Sequence, residues 1–145
     1  QRIFWEDGEV LVLSLHADPE FEYPCYWGYA DETGSGDGAG TTRNLPLPCG
    51  CDGSTYLAAL HEGLDDVRRF EPQYVVISAG FDTYAEDPLG TFRLQAEDIA
   101  QIATALADLR RPTVIVQEGG YCVEDLGQLV LRFLEPFRDH VVEDR

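Results

Sequence analysis

The sequence predicts an α/β fold built on an open, mostly parallel sheet. Three observations predict it. Short apolar runs, most of them rich in β-branched residues, stand at 10–15, 74–78 and 113–117, the form taken by strands buried on both faces. Segments with helical apolar spacing follow at 54–70, 96–109 and 123–137, and such alternation marks strand–helix–strand units. The chain has 145 residues with a hydrophobic fraction of 44%. That is enough for a core, in one domain or in one half of a larger one.

Each element has its own signal. Val10-Leu11-Val12-Leu13-Ser14-Leu15 is a short buried strand by length and flanks. From His16 to Gly53 the chain is rich in Gly and Pro and reads as one long loop, a length usually tied to function. Its aromatics, Phe21, Tyr23, Tyr26, Trp27 and Tyr29, suit a packed surface, a channel wall or anchors to the core. Ser54 is placed to cap a helix running to Phe70, with Tyr56, Leu57, Leu60, Leu64, Val67 and Phe70 as its apolar stripe. Pro72 marks its exit, and Tyr74 to Ser78 is the second strand. A loop to Leu94 carries Pro88 and Gly90 as turn signals. Glu97 and Asp98 favour the start of the next helix. After Pro112 come the third strand, Thr113 to Gln117, the sharp turn Gly119-Gly120 and a last helix from Val123 to Phe137.

Composition excludes several functions. With 27 acidic against 10 basic residues the net charge is −17, so the basic face that duplex nucleic acid requires is missing. No apolar run is long enough for a transmembrane helix. The charge suits cationic substrates or partners, or solubility in salt. The chain has neither Met nor Lys. The first absence points to a start inside a larger reading frame or after processing, the second to salt adaptation or GC-rich codons. Four cysteines at 25, 49, 51 and 122 are too sparse for a disulfide scaffold, which points to a reducing, cytoplasmic setting.

In open parallel sheets ligands sit beyond the carboxyl ends of the strands. That rule selects Ser14-Leu15-His16, Ala79-Gly80-Phe81-Asp82 and Gln117-Glu118-Gly119-Gly120-Tyr121. A carboxylate at Asp82 can bind a metal, act as a base or cap the next turn. Tyr121, after a glycine pair that admits close backbone approach, can donate to a developing oxyanion or be a plain rim tyrosine. A phosphate cradle at the glycine pair is weakened by Glu118 and the acidic chain. Asp87, before Pro88, reads as a turn former. His16 reads as a hydrogen-bonded structural histidine, His61 and His140 as solvent-facing. Cys49-Gly50-Cys51 with Cys25 is a minor option for a soft metal. Read alone, the residues hold one good carboxylate and one good phenol, short of a complete catalytic set.

These same segments resemble the zinc-dependent histone deacetylase superfamily. The resemblance rests on Ala79-Gly80-Phe81-Asp82, Asp87-Pro88-Leu89-Gly90 and Glu118-Gly119-Gly120-Tyr121. Tyr23-Pro24, Trp27-Gly28, Asp31 to Gly36 and Asn44 to Pro48 make it most similar to bacterial acetylpolyamine amidohydrolases. It runs from Gln1 to about Phe137. It implies an arginase/deacetylase-like three-layer α/β fold, present as a C-terminal partial domain over 1–145. It also implies hydrolysis of acylated primary amines. By resemblance Asp82 is one of three zinc ligands, Tyr121 polarises the amide carbonyl, and Tyr23, Gly119 and Gly120 line the substrate channel. The backbone carbonyls of Ser14 and Leu15 fall at a monovalent-cation site for K+ or Na+, and Phe4, Asp7 and Val10 near a second.

The family's Asp-x-His ligand pair and tandem histidines are absent from the sequence; Gln1 begins just past the place expected for the ligand pair. A catalytic zinc takes about three protein ligands, so this chain alone is expected to bind zinc weakly and to leave an apolar sheet edge exposed. Two main readings follow. One is the C-terminal portion of an amidohydrolase acting on a small cationic acylated amine, with Glu20, Glu22, Asp31, Glu32 and Asp37 attracting it. The other is a non-catalytic interaction or assembly module, forming a homo-oligomer or pairing with a missing N-terminal half. The loop 17–53 is a candidate dimer contact. A flavodoxin-like nucleotide binder is a third, weaker reading.

Overall fold

The computed structural model describes residues 1–23 and 25–141, the side chains of 139–141 excepted. Pro24, the tail 142–145 and the side chain of His140 lie outside the described residues. The chain divides into two compact units. One comprises residues 1–49 and 59–70, the other residues 50–58 and 71–145.

In the first unit, strand β1 (Val12–Ala17) pairs in parallel with β2 (Thr42–Leu47), from Val12 opposite Thr42 to Ala17 opposite Leu47. The first strand starts two residues later than the sequence predicts, because its ladder opens where Val12 N–H meets Thr41 O at 2.8 Å. The long loop expected over 16–53 is corrected here: β2 runs through it. Pro46 lies opposite His16. Parallel peptide groups alternate in direction. The bonds at Val12 and Asp18 fix the phase, turning the nitrogen of Pro46 away from β1. No ladder bond is lost, which is the condition under which a strand accepts proline.

Helix α1 (Gly53–Phe70) follows. Asp52, rather than Ser54, is its cap: Asp52 Oδ1 accepts from Thr55 N–H and from the Ser54 hydroxyl, each at 2.9 Å. These bonds hold the Asp52 carboxyl below its ordinary value. In the first unit Leu60 and Leu64 are buried with Leu45 and Leu47. Gly63 allows the close approach, since a Cβ there would lie 2.8 Å from Leu13 Cδ1. The helix stops at Glu71, which takes φ +53°.

In the second unit β3 (Val75–Ala79) and β4 (Thr113–Gln117) pair in parallel, Val75 opposite Thr113 and Ala79 opposite Gln117. Helix α2 (Ala96–Ala107) makes the crossover. Asp98 fastens its start by accepting from Gln95 N–H at 2.7 Å, and it ends two residues short of the predicted 109. Helix α3 (Val123–Val141) continues past Phe137, through Pro136. The core of this unit gathers Phe81, Leu94, Ile99, Ile102, Leu129 and Phe133. Phe81 and Phe133 meet edge to face at 5.7 Å, a favoured aromatic geometry.

The parallel strands and intervening helices make this an α/β fold. Among the described residues the strands form two separate two-stranded sheets, where the sequence suggests one. The expected apolar exposure appears on a face rather than an edge. Val76, Val114 and Val116 share one side of β3–β4 and are 69%, 59% and 42% exposed.

Candidate functional site

The parallel pairing of β3 and β4 brings two of the three selected strand ends together. Past the last paired residues, Glu118 N–H donates to Ala79 O and Phe81 N–H to Gly119 O, both at 2.9 Å. The two loops are therefore clamped to each other before the chemistry-bearing side chains begin. Asp82 leaves the first loop and Tyr121 the second.

Gly119 decides how close those side chains come. A Cβ on Gly119 would lie 2.1 Å from Asp82 Oδ2 and 3.4 Å from Tyr121 Cε2. The carboxylate and the phenol ring thus converge on one point, which a side chain would fill. Gly80 is also confined, its Cβ position 2.9 Å from Asp82 Oδ1. Gly120 takes φ +139° and backs onto Phe81 and Leu126, a conformation other residues rarely adopt. Tyr121 itself is 49% exposed, so the residue lies at the surface of this unit. The hydroxyl of Tyr56 lies in the same unit and is pushed up to about 12, by burial first and then by Cys51 and Asp82.

Asp87 does more than shape its own turn. It is buried, and Oδ1 accepts from Leu89 N–H at 2.9 Å and Gly90 N–H at 3.3 Å. Its Oδ2 accepts from Tyr121 N–H at 2.6 Å and Cys122 N–H at 3.1 Å. Burial works to raise this carboxyl, but the four backbone donors prevail and hold it below the usual carboxylate value. Nothing in the sequence signals the long reach, because a bond to a distant backbone amide leaves no mark on the partner's residue type.

The remaining predicted residues belong to the other unit. Ser14 and Leu15 lie in β1; the ladder phase turns the carbonyl of Ser14 toward β2 and that of Leu15 the opposite way. His16 has the structural role expected: its ring meets the Ser14 hydroxyl at 2.7 Å and Gly28 O at 2.9 Å. Gly28 is required there, for a Cβ would fall 2.3 Å from His16 Nε2. Tyr23 is exposed and, with Trp27 and His16, borders a cavity of about 410 Å³. Arg2 stacks over Trp27 at 4.3 Å. Phe4 O accepts from Asp7 N–H at 3.1 Å, and Asp7 O accepts from the Thr41 hydroxyl at 3.2 Å. Glu32 Oε2 accepts from Gln1 Nε2, Gly28 N–H and Tyr29 N–H, so this carboxylate also braces the loop. His61 is exposed, as expected.

Among the described residues no group of three or more His, Cys, Asp or Glu side chains is placed to hold a metal ion. All four cysteines are free. Asp82 is a suitable hard-oxygen donor for zinc, but a zinc centre takes about three protein ligands. The residues present do not by themselves fit one.

Comparison with known proteins fixes the class to which this fold belongs. The histone deacetylase domain family matches residues 1–136. The chain belongs to that family. It is 39% identical over 137 residues to acetylpolyamine amidohydrolase 2 of Pseudomonas aeruginosa, covering 94% of this chain and 40% of that protein. It is likewise 39% identical to the acetylpolyamine amidohydrolase of Mycoplana ramosa over 93% of this chain and 40% of the relative. The crystal structure of an acetylpolyamine aminohydrolase from Burkholderia pseudomallei superposes with a TM-score of 0.92 at 38% identity, over 94% of this chain and 40% of the other. A histone deacetylase homologue from Aquifex aeolicus gives 0.89 at 31% identity, over 94% and 37%. The chain thus spans about two fifths of the length of the relatives it matches.

Proposed function

We propose that this chain is the C-terminal, tyrosine-bearing portion of an amidohydrolase that deacetylates a small cationic acylated amine. One observation carries the proposal: Asp82 and Tyr121 converge over Gly119 at the carboxyl ends of a parallel strand pair. The names of the relatives, acetylpolyamine amidohydrolases among them, supply the reaction class.

In this reading the Tyr121 phenol donates a hydrogen bond to the amide oxygen as it gains negative charge. A donor held in place before the reaction stabilises an oxyanion without reorganising at that moment. The flanking Gly119 and Gly120 leave room for the acyl group beside it. By the family resemblance Tyr23 is read as a residue of the substrate channel, and Glu20, Glu22, Asp31, Glu32 and Asp37 add negative potential that favours a cation. Of the backbone expected at a monovalent-cation site, the Leu15 carbonyl, turned away from β2, is the one free of the β1–β2 ladder, whereas that of Ser14 points into it; Phe4, Asp7 and Val10 are read as lying near a second such site. In a complete protein Asp82 would be one of about three protein ligands to a zinc ion, which would there supply an activated water. A cytoplasmic location belongs to the same reading, in keeping with four free cysteines. Nucleic acid and membrane are not partners in this reading. The net charge is −17, and among the described residues no helix is long and apolar enough to cross a membrane.

The test uses the natural full-length protein containing this sequence. Acetylated polyamine and an acetyl-lysine peptide are offered in parallel. Turnover of the polyamine, lost on chelation and restored by zinc, is the expected result. Turnover that survives removal of all metal contradicts the reading.

A second reading is favoured by the valine face of β3–β4. Parallel sheets are normally covered on both sides, and Val76, Val114 and Val116 are open. The chain then acts as an assembly module, pairing with a second copy or with a separate N-terminal half. A monomeric, folded species in sedimentation at working concentration counts against self-assembly.

A further inference from the structure

Tyr121 follows two glycines, and the second has φ +139°. Such a hinge by itself leaves the tyrosine free to swing, whereas an oxyanion donor must be held to within a fraction of an ångström. Something outside the hinge has to fix it. We infer that Asp87 is the positioning residue of Tyr121, a buried strut that ties the loop bearing Asp82 to the loop bearing the phenol. The inference rests on the deacetylase reading for its catalytic consequence and on hydrogen-bond geometry for its structure.

The two carboxylate oxygens divide the task. Oδ1 is fixed within its own loop by the amides of Leu89 and Gly90. Oδ2 crosses 34 residues of sequence to the amide of Tyr121 and also takes that of Cys122. The anchor is rigid at its base as well: a Cβ on Gly90 would fall 1.8 Å from Asp82 O, so the 87–90 turn lies directly against the backbone of Asp82. One side chain therefore sets the distance between the carboxylate at 82 and the phenol at 121. Four acceptor contacts use the lone pairs of an ionised carboxylate. An amide offers one acceptor oxygen and turns an NH2 group toward one of the donor pairs, so Asp87→Asn must break half the strut while keeping its volume.

The test is a double-mutant cycle in the natural full-length protein, with turnover of an acetylated amine as readout. Asp87→Asn is expected to lower kcat by about tenfold or more with KM little changed, as misplacement of a catalytic group does. In the Tyr121→Phe background the same change is expected to have almost no further effect, because the strut then positions nothing that reacts. Equal losses in both backgrounds overturn the inference while leaving the deacetylase reading intact. If Tyr121→Phe alone leaves turnover unchanged, the deacetylase reading is the one that fails. A second measurement needs no variant and no catalysis. The amide protons of Tyr121 and Cys122 should exchange with solvent at least about tenfold more slowly than in an unstructured peptide. Exchange at the unstructured rate removes the strut itself.

Discussion

Gly119 leaves no room for a side chain between the two groups of the candidate site. Its Cβ position lies 2.1 Å from a carboxylate oxygen of Asp82, so Gly119→Ala must move that carboxylate or the Tyr121 loop. The substitution is expected to lower stability by about 1–3 kcal/mol, the usual effect of overpacking, and to depress turnover more than stability alone explains. Thermal melting and steady-state rates of the same variant check both. Asp87 gives a pH signature at the same scale. Its folded-state pKa is depressed by backbone donors that outweigh burial. A depressed carboxylate contributes stability fully present above its unfolded value, about 3.9, and lost as pH falls through the lower folded value. The melting temperature of the chain should therefore drop below about pH 4, and Asp87→Asn should make that drop shallower. Asp82 and Tyr121 are legible in the sequence because strand ends and glycine pairs have local signatures. The contribution of Asp87 to Tyr121 is not legible, since it depends on a fold that brings residues 34 apart into contact.

At the scale of elements, the caps and the missing strand carry the lesson. Asp52 caps α1 through Thr55 N–H; Asp52→Ala should lower stability by about 1 kcal/mol and Ser54→Ala by less, as chemical denaturation would show. Ser54 and Asp52 are both good capping types, and the cap lies two residues earlier than the sequence suggests. The three apolar strands are found from sequence within two residues, because β-branched runs between turn residues have few other uses. Strand β2 escapes because Asn44 and Pro46 read as breakers. It stands because the Pro46 nitrogen faces away from β1 and the Asn44 amide donates to Gln1 Oε1 at 2.9 Å and Tyr29 O at 3.2 Å.

At the scale of the whole molecule, the family and the α/β class follow from the pattern of motifs, while the separation into two sheets depends on which strands pair. The chain spans about two fifths of its relatives' length, and the valine face of β3–β4 is open. A separately produced polypeptide matching the remaining length of a relative should therefore bind this chain. Val114→Arg should weaken that association by about tenfold or more, since it puts a charge where apolar surface is buried. Sedimentation of the mixed chains measures it. A second consequence of the −17 charge concerns substrate capture: attraction of a cationic amine is screened by salt, so kcat/KM should fall as ionic strength rises.

The central claim is that Tyr121 supplies the hydrogen bond that stabilises the reacting amide. Its most direct test is the turnover of an acetylated polyamine by the natural full-length protein and by its Tyr121→Phe variant, with folding verified by melting temperature. The phenol's loss should lower kcat by about 10²–10³, as removal of an oxyanion donor does, with KM nearly unchanged. Full turnover by the folded variant would contradict the assignment.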